Sequence, residues 1–125
     1  MHPFLLKVPI SGCNHAFISE KFEWVVSNEV LLEYEEIISK RYSASISSNV
    51  ITILTIAPNT LFFDSFYQWK LIANDADDNK FADLYLSSNA DVLVTQDLDF
   101  NILNTLEFPS IKVISLADFK LLLRL

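Results

Sequence analysis

Short apolar runs recur along the chain and are separated by longer segments that mix apolar and polar positions. Short runs rich in Val, Leu, Ile and Phe are typical of strands buried on both faces of a parallel sheet. The runs that predict strands are residues 22–27, 61–64, 92–94 and 111–114. Phe4, Leu5 and Leu6 are expected to be core residues of a short first element.

The longer segments have the spacing of helices. Leu31, Tyr34 and Ile38 fall on one face of a helix that begins after Ser27 or Asn28. Residues 49–57 have β-branched side chains that also suit a strand, but we favour a helix there, preceded by a Ser-rich connection over 43–48. Further helices are predicted from the polar turn at 74–79 to about Asn89, over 99–106, and over 116–124 with Ser115 as its cap.

Strands that alternate with helices predict an α/β fold with a mainly parallel sheet. The 125 residues, of which 51% are hydrophobic, suit one domain over residues 1–125. The apolar stretches are shorter than the roughly 20 residues that cross a bilayer, so we expect no membrane segment. The lone Cys13 cannot form an internal disulfide, which fits a cytoplasmic protein. Its Ile-Ser-Gly-Cys context also resembles a lipoprotein cleavage box, but the apolar run before it is too short for a signal peptide.

Negative charge is concentrated in one fifth of the chain. The net charge is -7, which argues against nucleic-acid binding through a broad basic face. Residues 75–99 hold seven Asp against one Lys, whereas the remainder has nine acids and eight bases. This segment is therefore the place to look for chemistry.

Two of these acids fall where an α/β sheet binds ligands, beyond the carboxyl ends of its strands. Asp97 follows the apolar run at 92–94, and Asp78 begins the preceding helix, with Asp83 five residues further on. Converging carboxylates repel each other, and oxygen ligands favour Mg²⁺ or Mn²⁺. The alternative is that Asp75, Asp77 and Asp78 only cap a helix, which is a common use of Asp.

The motif that contains these acids resembles the PIN-domain family, in the branch described as toxin components of toxin–antitoxin systems. The match consists of Asp75, residues 77–81, Ala90-Asp91 and residues 95–97, read as Asp-x-Asp-Asp-Asn-Lys-Phe, Ala-Asp and Thr-x-Asp. Upstream, residues 22–38 resemble the family's strand and second helix, and residues 58–72 resemble the segment that leads into the Asp-rich turn. The resemblance covers about residues 17–120.

The resemblance implies a three-layer α/β/α sandwich with the site of a metal-dependent endoribonuclease. Glu33, Asp78 and Asp97 would be the catalytic and metal-binding acids, with Mg²⁺ or Mn²⁺ as the ion. Thr95, Asp83 and Asp99 would support them. The partners implied are single-stranded or structured RNA and an antitoxin protein.

One part of the family pattern is missing. PIN domains open with a central strand that ends in Asp-Thr-Asn, whereas the first acid here is Glu20. We therefore expect the first strand to be missing, which would leave a sheet edge for a partner or a homodimer to cover. Two alternatives stay open: a non-catalytic, partner-binding PIN remnant, and a receiver-like phosphoacceptor domain, which would need an acidic pair near its first strand.

Several aromatic residues could stack on nucleic-acid bases. Trp24, Tyr67 and Trp69 are the candidates, but core packing is the expected role in a chain with 13% aromatic residues. His2 and His15 have no spaced partner that would make them metal ligands.

Overall fold

The computed structural model describes residues 3–6, 17–64, 68–72, 76–95 and 98–123. All pairings between its strands are parallel, and they form one sheet in the order β3-β2-β1-β4-β5. The five strands are β1 (Pro3–Leu6), β2 (Glu23–Val26), β3 (Thr60–Phe62), β4 (Val92–Val94) and β5 (Val113–Ile114). The prediction of an α/β fold with a parallel sheet is confirmed.

Helices connect the strands, as the alternating pattern predicted. The helices whose bounds fall within the described residues are α1 (Asn28–Arg41), α2 (Ala44–Ile56), α3 (Ala76–Ser88), a 3₁₀ helix (Leu98–Thr105) and α4 (Leu116–Leu123). α2 begins earlier than expected: the Ser-rich segment is its first turn and not a connection, because the Ser43 side chain caps it by accepting from the Ile46 N–H at 3.1 Å.

The same device begins the neighbouring helices. Ser27 accepts from the Val30 N–H at 3.1 Å, and Ser115 accepts from the Asp118 N–H at 3.1 Å. α3 is followed by Asn89, whose φ of 54° is the left-handed conformation that Asn tolerates at a helix end. The predicted helix boundaries near these residues are confirmed.

The three middle strands are covered on both faces. Successive side chains of a strand point to opposite faces, and Leu5, Val25 and Leu93 are as completely buried as their neighbours. An aromatic cluster joins the strands to α4, because the ring of Phe119 lies 5.2 Å from those of Phe4 and Phe22 in edge-to-face contacts. The sheet is therefore a central layer between helical layers.

β1 corrects the expectation that the first strand is missing. It occupies the middle of the sheet, where Phe4 lies opposite Trp24 of β2 on one side and Val92 of β4 on the other. Pro3 is tolerated because it is the first residue of the strand. Within the described residues β1 is paired on both sides, so the bare central edge that a partner or a homodimer was expected to cover is not found there.

No helix in the described ranges is both long enough and apolar enough to cross a membrane.

Candidate functional site

The carboxyl ends of β2, β1 and β4 lie side by side because these neighbouring strands are parallel. β1 ends at Leu6, β2 at Val26 and β4 at Val94. This edge is the usual position of ligand sites in α/β sheets. The residue that follows β4 is Thr95. It is only 9% exposed, so it is packed at this edge of the sheet and does not lie on the open surface.

Helix α1 is fixed to this edge through one buried tyrosine. The Tyr34 hydroxyl donates to the carbonyl oxygen of Leu6, the last residue of β1, and accepts a hydrogen bond from Trp24 Nε1 at 3.2 Å. Burial raises the pKa of the Tyr34 phenol, and the hydrogen bond from Trp24 opposes this effect in part. The residue before Tyr34 is consequently held at the same edge of the sheet.

That residue is Glu33, one of the predicted site acids. Its side chain is only 11% exposed, and its Oε2 atom lies 3.9 Å from Lys80 Nζ on α3. A carboxylate with so little exposure needs a positive partner, and Lys80 supplies one. Glu33 on α1 and Lys80 on α3 are therefore close together, while the approach of Glu33 to the acids of the Asp-rich motif stays a prediction.

Asp83 lies one turn after Lys80 on α3 and is 8% exposed. Its Oδ1 atom accepts a hydrogen bond from the backbone N–H of Trp69 at 3.0 Å. The pKa of Asp83 is raised, chiefly by burial and to a smaller extent by the negative charge of Glu29, while the hydrogen bond from Trp69 lowers it. The structure thus shows Asp83 holding a loop, and its support of a metal ion stays a prediction.

Sequence reasoning missed two members of this region. The Asn79 side chain forms a reciprocal pair with the backbone of Ile72, accepting from its N–H at 2.9 Å and donating to its carbonyl oxygen at 2.8 Å. The negative charge of Glu29 on α1 helps to raise the pKa of Asp83 on α3. A signal was present for Glu29, because it lies four residues before Glu33 and so shares its helix face. Nothing in the sequence marked Ile72 as the partner of Asn79.

The other predicted acids are only partly described. Asp78 lies in the first turn of α3 and Asp99 in the 3₁₀ helix, but their side chains are outside the described part of the structure. Asp97 is outside it altogether, as are His2, Cys13 and His15. Among the residues that are described, no three His, Cys, Asp or Glu side chains form a group that could hold a metal ion. The convergence of Glu33, Asp78 and Asp97 therefore stays a prediction.

β1 reaches the middle of the edge without a carboxylate. It ends at Leu6, and the sequence has no Asp or Glu before Glu20. The strand that was expected to be lost is present, but the acid that the family pattern places after it is not in the sequence. The acids of this edge must come from the other elements.

Comparison with known proteins agrees with this architecture. The family profile described as a PIN domain matches residues 10–99, well over half of the chain. No curated protein matches. A solved chain from the crystal structure of VapBC2 from Rickettsia felis, bound to a DNA fragment from its promoter, is similar with a TM-score of 0.58. The two are 15% identical, and the match covers 90% of this chain and 98% of that one, which shows a shared fold. The chain therefore belongs to the PIN-domain family.

Proposed function

We propose that this chain is a metal-dependent endoribonuclease that acts as the toxin component of a toxin–antitoxin system. The observation that carries the proposal is the position of Glu33, an acid that is only 11% exposed and lies 3.9 Å from Lys80 on the motif-bearing helix α3. Buried carboxylates at the carboxyl edge of an α/β sheet are costly for stability and are typical of functional sites. Membership of the PIN-domain family supports cleavage of RNA, and a cytoplasmic location goes with that substrate.

The donor set suits a hard divalent cation. Glu33, Asp78 and Asp97 offer only carboxylate oxygens, which favour Mg²⁺ or Mn²⁺ over softer metals. A bound ion would offset negative charge on the phosphodiester in the transition state and activate the attacking water. The ion pair between Glu33 and Lys80 would hold the Glu33 carboxylate in position before substrate binds. The Thr95 hydroxyl would orient a ligand carboxylate by donating a hydrogen bond to it, and Asp83 and Asp99 would support the ion through bound waters.

A second candidate is a PIN domain that binds a partner without cleaving RNA. The observation that favours it is that β1 contributes no carboxylate to the edge, which leaves the acid site with fewer ligands than the family pattern has. The receiver-like alternative is weaker, because its acidic pair near the first strand is missing for the same reason.

An antitoxin is the partner that we propose, and α2 is the surface for it. The solved neighbour is part of a complex, VapBC2. Helix α2 has no charged residue, and Ile53 and Ile56 are 44% and 74% exposed beside Ile18, which is 66% exposed. These three side chains line one groove together with Phe17 and Pro58. An apolar helical segment of the antitoxin would fill it, since such grooves bind the apolar face of a helix.

Sedimentation of the chain with and without its antitoxin tests this assignment. Ile53→Lys together with Ile56→Lys should abolish the complex, whereas Leu32→Lys, an equally exposed apolar position on α1, should leave it intact. If the chain without antitoxin forms a homodimer that Ile53→Lys and Ile56→Lys dissociate, the groove is occupied by a second copy and the antitoxin assignment fails.

The enzymatic proposal is tested by cleavage of labelled single-stranded and hairpin RNA in Mn²⁺, Mg²⁺ or EDTA. Wild-type protein should cleave only with a divalent ion. Glu33→Gln and Asp97→Asn should each reduce the rate about 10- to 100-fold or more, as loss of a metal-orienting group does. The matched control is Glu36→Gln, because Glu36 is an exposed acid of the same helix whose Oε1 lies 2.9 Å from Lys40 Nζ.

The result also decides between the two candidate functions. A wild-type protein that binds no Mn²⁺ by calorimetry and shows no divalent-dependent cleavage would contradict the nuclease and favour the non-catalytic partner-binding domain. Equal activity of Glu33→Gln and Glu36→Gln would contradict the site assignment and leave the family unaffected.

A further inference from the structure

Phe108 is the most exposed large apolar side chain of the described residues, with 80% of its surface accessible. It lies between the 3₁₀ helix and β5. Leaving a Phe side chain in water forgoes hydrophobic stabilisation that burial would provide. A position of this kind is therefore a candidate for binding.

The ring of Phe108 is supported from behind. Its centroid lies 5.8 Å from the ring of Trp69, and the two planes meet at 72°, which is a favourable edge-to-face arrangement. Trp69 is itself only partly buried, in contrast to Trp24, which is 2% exposed in the core. The two rings, referred to below as the Trp69–Phe108 pair, form a small aromatic surface.

The segment that carries Trp69 is fastened to α3 at two points. Asp83 accepts the Trp69 N–H at 3.0 Å, and Asn79 pairs with both backbone groups of Ile72. A loop that is fixed in this way loses little conformational entropy when a ligand stacks on it. Asn79 and Asp83 are separated by about 6 Å along the helix axis, and Lys80, the partner of Glu33, lies between them. The aromatic surface is thus anchored to the same turn of α3 that reaches the candidate site.

We propose that the Trp69–Phe108 pair stacks an unpaired base of single-stranded RNA next to the acidic site. This inference rests on the proposed function, whose substrate it positions. A planar base needs only one exposed ring face, and stacking on it does not require the basic surface that this acidic chain lacks. A protein partner would need a larger apolar patch, whereas exposed polar residues adjoin both rings in the sequence: Gln68 and Lys70 beside Trp69, and Glu107 and Ser110 near Phe108.

Binding of a fluorescein-labelled ten-nucleotide single-stranded RNA, measured in EDTA so that no cleavage occurs, tests the inference. Phe108→Ala should weaken binding about 5- to 100-fold, the effect expected for loss of one base–aromatic stack. The control is Tyr42→Ala, which removes another exposed aromatic ring, 68% accessible, at the far end of α1. An abasic strand of the same length should bind weakly and should not respond to Phe108→Ala.

Tryptophan fluorescence gives an independent readout, because RNA should quench Trp69 and leave the buried Trp24 unaffected. The inference is overturned if wild-type protein does not bind the strand, or if Phe108→Ala binds it as tightly as Tyr42→Ala does. Its failure is distinct from that of the proposed function. If Phe108→Ala weakens RNA binding but the wild type cleaves no RNA with Mn²⁺, base stacking is supported and the nuclease function is contradicted. If the wild type cleaves RNA but Phe108→Ala binds it normally, the nuclease function is supported and base stacking is contradicted.

Discussion

Helices α1 and α2 are consecutive, similar in length and different in almost every other respect. α1 has 14 residues, six of them charged, and α2 has 13 residues with no charge. The charged residues of α1 are Glu29, Glu33, Glu35, Glu36, Lys40 and Arg41. One helix therefore brings acids to the edge of the sheet, while the other offers an apolar surface.

The two helices also use their polar side chains differently. On α1, the buried Tyr34 hydroxyl joins the helix to β1 and β2. On α2, the exposed Thr52 and Thr55 hydroxyls donate to the carbonyl oxygens of Ser48 and Ile51 in their own helix. The Tyr34 hydroxyl fixes α1 relative to the sheet, whereas these two threonine hydroxyls of α2 are satisfied within their own helix. Specific geometry at the acid site thus depends on α1.

Removing one hydroxyl from each helix gives the largest contrast. Tyr34→Phe should lower the free energy of unfolding by about 2–4 kcal/mol, because it leaves buried polar groups of Trp24 and Leu6 without their partner. Thr55→Val should change it by less than about 0.5 kcal/mol, because the site is exposed. Urea denaturation of both variants measures the difference, and similar losses would show that α1 is not fixed through Tyr34.

The same tyrosine gives a pH test. Its pKa in the folded protein is raised, whereas in the unfolded chain it ionises near the ordinary value of about 10. The contribution of Tyr34 to the free energy of unfolding is therefore complete below about pH 10. It declines as the pH rises further, because the phenol loses its proton at a lower pH in the unfolded chain than in the folded protein. Tyr34→Phe should be less sensitive than the wild type to alkaline denaturation.

A smaller effect is expected at Asp83, which faces α1 across the site. Asp83→Ala should lower the free energy of unfolding by about 1–3 kcal/mol, since it leaves the Trp69 N–H without an acceptor. Asp83→Asn keeps an acceptor and removes a buried charge, so it should be close to wild type at pH 7. Because the pKa of Asp83 is raised, wild-type stability should fall as the pH rises above the usual Asp range, and this dependence should be weaker in Asp83→Asn. Equal stability of the Ala and Asn variants would contradict the role of the hydrogen bond.

The helix caps provide the finest comparison. Ser27 and Ser43 each accept a hydrogen bond at 3.1 Å, but Ser27 is buried and Ser43 is only partly buried. Ser27→Ala should cost about 1–2 kcal/mol and Ser43→Ala about 0.5–1 kcal/mol, in line with the range for N-caps. Thermal unfolding measures both, and the opposite order would show that burial does not strengthen the cap.

Much of the fold was predictable because its signals are local. The apolar run at β4 and the Ser27 cap of α1 each depend on a few neighbouring residues, and both predictions are confirmed. The first turn of α2 was missed because serines favour loops when considered alone. In the structure Ser47 is buried and donates to the carbonyl oxygen of Glu35, a contact that requires α1 to lie alongside.

The remaining errors come from distant partners. β1 was expected to be missing because its acid motif is absent, but a strand depends on its neighbours β2 and β4 and not on the chemistry that follows it. Glu33 was chosen from the resemblance, and its part in a metal site stays a prediction, although its side chain lies near Lys80 of α3. The role of Asn79 depends on the loop at 68–72 reaching the helix. Sequence patterns reveal which residues are polar and do not reveal which backbone groups they will meet.

The central place of β1 has a consequence for biosynthesis. β1 leaves the ribosome before the other strands. The edge of β1 that pairs with β4, where Phe4 lies opposite Val92, can form its hydrogen bonds only after β4 has been synthesised. β2, α1, α2 and β3 follow one another in the chain and can assemble while translation continues. In a nascent chain that stalls before β4, one edge of β1 would therefore be unpaired, although β2, β3 and the helices between them had already formed.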